Sequence, residues 1–134
     1  MEEEIQHLGL YLDIEKVRFG HRLQTEIISG PNVLSLKLPA LLLQPVVENA
    51  IKFGLYDTYG EVLITLRATR ENNYLKIMVQ NPFDPETSQP LKGTGFGLSS
   101  IQRRLFLLFA RHDLLETKKE EEHFITTILI PQTI

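Results

Sequence analysis

The sequence predicts an α/β fold of the α+β kind, a two-layer sandwich in which a mixed, largely antiparallel sheet is covered on one face by about three helices. Three observations lead there. The chain has 134 residues, 43% apolar and 23% charged, enough for one compact domain with its own core. Most of its β-rich runs come in pairs joined by short polar turns, which favours hairpins over the helix-linked strands of a doubly wound parallel sheet. Three stretches carry apolar residues at helical spacing.

Taken in order, residues 2 to about 21 read as the first helix. Ile5, Leu8, Leu12 and Phe19 share a face, the glutamates of the first turn oppose the helix dipole, and Gly20 stands near the stop. "RLQTEIIS" (22–29) and "VLSLKL" (33–38) alternate weakly around the turn "GPN" and predict two short strands. A second helix is expected from about Pro39. "EVLITLRAT" (61–69) and "YLKIMVQN" (74–81) alternate apolar and polar residues on either side of "RENN", so they should pair as a hairpin. From Pro82 to Gly97, three prolines and three glycines interrupt all periodicity, which predicts an open loop that gains order only with a ligand. The third helix follows, with Leu98, Ile101, Leu105 and Leu108 on one face up to "ARHD"; "LLETKK" (114–119) and "HFITTILI" (123–130) end the chain as a second hairpin.

Composition narrows the function. A net charge of -3, from 17 acidic and 14 basic residues, gives no basic face for nucleic acid. The absence of cysteine excludes disulfides, thiolate catalysis and cysteine-based zinc sites, and the four histidines have no ligand-like spacing. Apolar runs such as "LFLLFA" are too short for a membrane span, and "MEEEI" lacks the features of a signal peptide.

Two stretches carry chemistry. In "LQPVVENAIKFG" (43–54), Leu43, Val46, Val47, Ala50 and Ile51 make one apolar face, with Glu48, Asn49 and Lys52 together on the opposite arc. A solvated face with an ordinary Glu48–Lys52 pair is the plain explanation. Against it stand Pro45 at the helix start and Asn49, a modest helix former; an amide oxygen beside a carboxylate and an ammonium suits a magnesium ion and the phosphates it accompanies. In "KGTGFGLSS" (92–100), Gly93, Gly95 and Gly97 let backbone amides approach an anion and lead into a helix N-terminus that favours phosphate. The spacing is neither the Rossmann fingerprint nor a Walker loop, and a flexible connector is the alternative.

With both stretches in view the chain resembles the GHKL ATPase superfamily: "LLLQPVVENAIKFG" is similar to its N box and "GTGFGLSSIQRRL" to its second glycine box. "YLDIEKVRFGHRL", "LLLQP" and "IQRRLFLLF" resemble the catalytic domain of sensor histidine kinases paired with LytTR-type response regulators, over about Leu8 to Pro131. The resemblance implies the Bergerat-type ATP-binding sandwich, with ATP and Mg2+ as ligands. It assigns Asn49 to magnesium, Glu48 to the catalytic acid–base position beside the acceptor imidazole, and Lys52 to the phosphates. Gly93, Gly95 and Gly97 match the lid glycines, with Lys92, Thr94 and Leu98 beside them in the same box. Asn81 takes the adenine position where relatives carry aspartate; its neutral oxygen still accepts a hydrogen bond, more weakly than a carboxylate. Phe83 replaces a glycine of that box, and Phe53 stands where a histidine often follows the lysine.

None of His7, His21, His112 and His123 has the surroundings of a phosphoacceptor. Residues 1–134 are therefore expected to be a single catalytic domain from a longer, membrane-linked sensor, acting in the cytoplasm without direct membrane contact. Its expected partners are the kinase's own dimerisation and phosphoacceptor helices and, through the parent kinase, a response regulator. Alone it should not phosphorylate itself. A non-catalytic nucleotide-sensing or docking domain, and a serine kinase of the anti-sigma type, are the competing readings.

Overall fold

The computed structural model describes residues 2–39, 42–57, 60–82, 90–120 and 123–132; at residues 53, 55–57 and 90–97 it describes the backbone alone. Helix α1 (Glu2–Phe19) ends where Gly20 turns left-handed at φ 61°, a conformation glycine takes without steric cost, and a 3₁₀ turn leads into β1 (Leu23–Ser29). Then come α2 (Leu43–Asp57), the hairpin β2 (Val62–Glu71) and β3 (Tyr74–Pro82), α3 (Pro90–Phe109), and the hairpin β4 (Leu115–Glu120) and β5 (His123–Pro131).

The five strands form one sheet in the order β1-β2-β3-β5-β4, parallel between β1 and β2 and antiparallel elsewhere. This is the mixed, largely antiparallel sheet the sequence predicts. Strand alternation sorts its two faces. Val62, Ile64, Leu66 and Ala68 of β2, Leu75, Ile77 and Val79 of β3, and Phe124, Ile128 and Ile130 of β5 are buried toward the helices. Leu8 and Leu12 of α1, Val46, Val47, Ala50 and Ile51 of α2, and Leu98, Ile101 and Leu105 of α3 complete the core. Helix α1 keeps Leu10, Ile14 and Val17 exposed on its other side.

Three expectations need correction. Residues 33–38 form no strand. Asn32 takes φ 61°, Leu36 N–H donates to Val33 O at 2.9 Å and Ser35 Oγ donates to Asn32 O at 3.3 Å, so local turns satisfy this backbone. Val33 and Leu36 are the buried pair, three residues apart rather than two.

Helix α2 starts at Leu43, not at Pro39. Its Leu43 N–H is met by the Glu4 carboxylate of α1 at 3.4 Å, an anion at the positive end of the helix. Pro45 falls in the first turn, where a missing amide proton costs nothing.

Helix α3 starts at Pro90, so the open loop expected over 82–97 is helical from residue 90 onward. Proline fits the first helical position, and that start signal outweighs the three glycines behind it. The remainder of the expected loop, residues 83–89, lies outside the described residues.

Candidate functional site

The described polar residues that are buried are Asn49, Asn81 and Thr126. They share one side of the sheet. Register places Asn81 next in line after Leu75, Ile77 and Val79 on the helix-covered face of β3, opposite Phe124; Thr126, opposite Val79, is its diagonal neighbour on that face. Gly54 brings the backbone of α2 down onto this end of the sheet. A Cβ there would lie 2.8 Å from Val62 Cγ1 and 3.8 Å from Asn81 Cβ, which leaves no room for a side chain.

Asn49 does not stay with Glu48 and Lys52 on an exposed arc. On the helical wheel it lies about 60° from Val46, and that flank is covered, so Asn49 is 8% exposed while Glu48 and Lys52 are exposed. Among the described residues, however, the Asn49 amide has no hydrogen-bond partner. The amide keeps an edge in solvent, since the one fully buried side-chain atom without a partner among the described residues is Gln102 Oε1; an amide free at such an edge could meet a hard cation or its water. No cluster of three or more His, Cys, Asp or Glu residues suited to a metal occurs among the described residues, so Asn49 would act with ligand oxygens and water, the usual way magnesium is bound.

Glu48 and Lys52 do not form the i, i+4 pair that their spacing suggests. Glu48 Oε1 instead accepts from Gln44 Nε2 at 2.9 Å, and Gln44 Oε1 accepts from His7 Nε2 of α1 at 2.7 Å. The relay fixes the Glu48 carboxylate from one helix to the next and leaves Lys52 without an ion-pair partner among the described residues. Asn81, 1% exposed, donates from Nδ2 to Pro82 O at 2.9 Å, which leaves its side-chain oxygen as the acceptor. Leu98 is buried in the core against the other helices. Lys92, Gly93, Thr94, Gly95 and Gly97 lie on the first two turns of α3, and their side chains fall outside the described residues.

Sequence reasoning missed Gly54, Thr126 and the His7–Gln44 relay. Thr126 had a signal: in "HFITTILI" it is the polar residue at an inward position, between Phe124 and Ile128. The relay had none, because His7 and Gln44 lie 37 positions apart in the chain.

No family model matches the chain. It is 34% identical over 108 residues to the sensor histidine kinase BtsS of Escherichia coli strain K12, covering 78% of this chain and 18% of that protein. With the sensor protein LytS of Oceanobacillus iheyensis it shares 26% over 144 residues, 98% of this chain and 25% of LytS. The chain thus spans a quarter or less of these relatives. Its fold matches the nucleotide-free catalytic domain of histidine kinase ThkA with a TM-score of 0.70 at 14% identity, over 98% of this chain and 92% of that one. ThkA in complex with the response regulator protein TrrA also matches, with a TM-score of 0.66 at 15% identity, over 99% of this chain and 40% of the solved one.

Proposed function

The chain belongs to the catalytic domains of sensor histidine kinases in the GHKL superfamily, and from that premise we propose that it binds Mg-ATP and donates the γ-phosphoryl group to a histidine on a separate dimerisation helix in a two-component system. The observation that carries this reading is Asn49, a largely covered amide with no hydrogen-bond partner among the described residues, on the same helix as Lys52, which has no ion-pair partner among them, and Glu48, which accepts from Gln44.

Asn49 would hold the magnesium ion. Magnesium, when bound, neutralises charge on the β- and γ-phosphates as the phosphoryl group leaves. Lys52 offers its ammonium to the same phosphates, one turn away. The Asn81 oxygen accepts from the adenine amino group, and backbone amides around Gly93, Gly95 and Gly97, with Lys92 and Thr94, close over the phosphates beside Leu98. Glu48, turned by Gln44 and His7, takes the proton that the acceptor imidazole loses as its other nitrogen attacks phosphorus.

No described helix is long and apolar enough to cross a membrane. We place the domain on the cytoplasmic side of its parent kinase, where ATP is found, with a response regulator as the downstream partner; the structure of ThkA with TrrA supports that partner class. The test is incubation with γ-labelled ATP and magnesium. The chain alone should take up no acid-labile label, and label should appear on an added fragment carrying the dimerisation helices of the parent kinase. Labelling of the chain itself, or of a serine on the fragment, would contradict the reading.

A further inference from the structure

The proposed chemistry draws on α2, β3 and α3, yet a cleft of about 330 Å³ lies between α1 and α2, where Tyr11, Glu15 and Arg18 of α1 face Glu48 and Lys52 of α2. Phe19 and Ile51 give it an apolar wall. Two carboxylates repel a ligand that is only phosphate, and two cations repel one that is only a cation. What suits both, with an apolar wall beside them, is a flat ring that donates one hydrogen bond and gains an anionic group during reaction.

Resting on the phosphotransfer reading above, we propose that this cleft is the subsite for the phosphoacceptor imidazole: Tyr11 and Glu15 orient the ring, and Arg18 meets the phosphoryl group after transfer. Tyr11 suits the task because burial, and then the nearby Glu15 and Glu48 carboxylates, push its phenol up, so it remains a neutral hydrogen-bond donor. Glu48 and Lys52 belong to both the cleft and the phosphate side, so the ring nitrogen bearing the lone pair is brought toward the γ-phosphorus. That nitrogen forms the N–P bond as the bond from phosphorus to the bridging oxygen breaks. ADP leaves with the electron pair, and the proton on the other ring nitrogen departs to Glu48. Tyr11, Glu15 and Arg18 are positioning residues in this step and exchange no proton.

The probe is free imidazole, titrated into the 134-residue chain and followed by amide NMR, with and without magnesium and a non-hydrolysable ATP analogue. Saturable shifts should centre on Tyr11, Glu15, Arg18 and Lys52. Tyr11→Phe and Glu15→Gln should each weaken imidazole about fivefold, the scale of one lost hydrogen bond, with analogue affinity, measured in the same samples, retained. Unaltered folding in both variants is read from their spectra. Shifts away from the cleft, or wild-type imidazole affinity in both variants, would overturn the subsite. The two readings separate: analogue binding without imidazole in the cleft sinks the subsite alone, whereas no analogue binding sinks the nucleotide reading and the acceptor subsite with it, whatever the imidazole does.

Discussion

Helices α2 and α3 pack against each other and both carry residues expected to meet phosphate, yet they are built in opposite ways. Helix α2 is secured at its start by the Glu4 carboxylate and by Pro45, and its single glycine, Gly54, serves close packing on β2 and β3. Of its candidate side chains, Glu48 is tied to Gln44 and Asn49 is largely covered. Helix α3 spends its first two turns on Gly93, Gly95 and Gly97, each about 1 kcal/mol less favourable in a helix than alanine. A helix so composed is inexpensive to open. As it stands, only the amides of its first turn are free for an anion, and those of Gly95 and Gly97 sit at positions that bond back along the helix. On the proposed function, the difference sets a half proposed for metal and acid–base work on a firmly seated helix, and a half proposed for phosphate on a helix whose glycines lower its stability.

The largest expected effect falls on the half proposed for metal and acid–base work. Glu48→Gln keeps the shape and the hydrogen bond from Gln44 but loses basicity, so transfer to a supplied dimerisation fragment should slow by about 100-fold or more, with nucleotide affinity little changed. A transfer rate equal to wild type would remove Glu48 from the chemistry.

Next is packing. Gly54→Ala places a Cβ 2.8 Å from Val62 Cγ1, and thermal unfolding should register a loss of about 1–3 kcal/mol. An unchanged melting temperature would mean that α2 is free to lift from the sheet.

The glycine half gives the sharpest contrast. Gly95→Ala should stabilise α3 by about 1 kcal/mol and weaken nucleotide binding by a similar amount, about fivefold, because the first turns then resist opening. A variant both more stable and tighter in binding would show that the helix as it stands is the binding form.

Asn81→Asp introduces the charged acceptor that the family resemblance implies at the adenine position. Nucleotide should bind about 1 kcal/mol more tightly, while the free protein loses stability because the carboxylate is buried. Weaker binding would assign Asn81 to its bond with Pro82 O instead.

Much of the fold was legible because its signals are local. The i, i+3, i+4 pattern of Leu43, Val46, Val47, Ala50 and Ile51 identified the buried face of α2, and alternation identified the first hairpin. Local signals misled where two rules compete. "VLSLKL" alternates like a strand, but Asn32 supplies a left-handed turn and the backbone bonds within itself. Pro90 and the glycines read as breakers, although proline also starts helices. Glu48 and Lys52 obey the pairing distance, but Gln44 offers Glu48 a bond from the other side. Asn49 was expected on an exposed arc with Glu48 and Lys52, but the covered flank beside Val46 takes it to 8% exposure. The His7–Gln44–Glu48 relay and the α1–α2 cleft arise from tertiary contact between distant segments, which no periodicity encodes.

The central claim is that α2 presents a site for magnesium-bound nucleotide, and isothermal calorimetry of wild type and Asn49→Ala with ATP tests it most directly. The account expects saturable binding in magnesium, lost on chelation, and a loss of about 3 kcal/mol, roughly 100-fold, in the variant, with its melting temperature unchanged because the amide has no hydrogen-bond partner to lose among the described residues. Equal affinity with and without magnesium, or in Asn49→Ala, would contradict it.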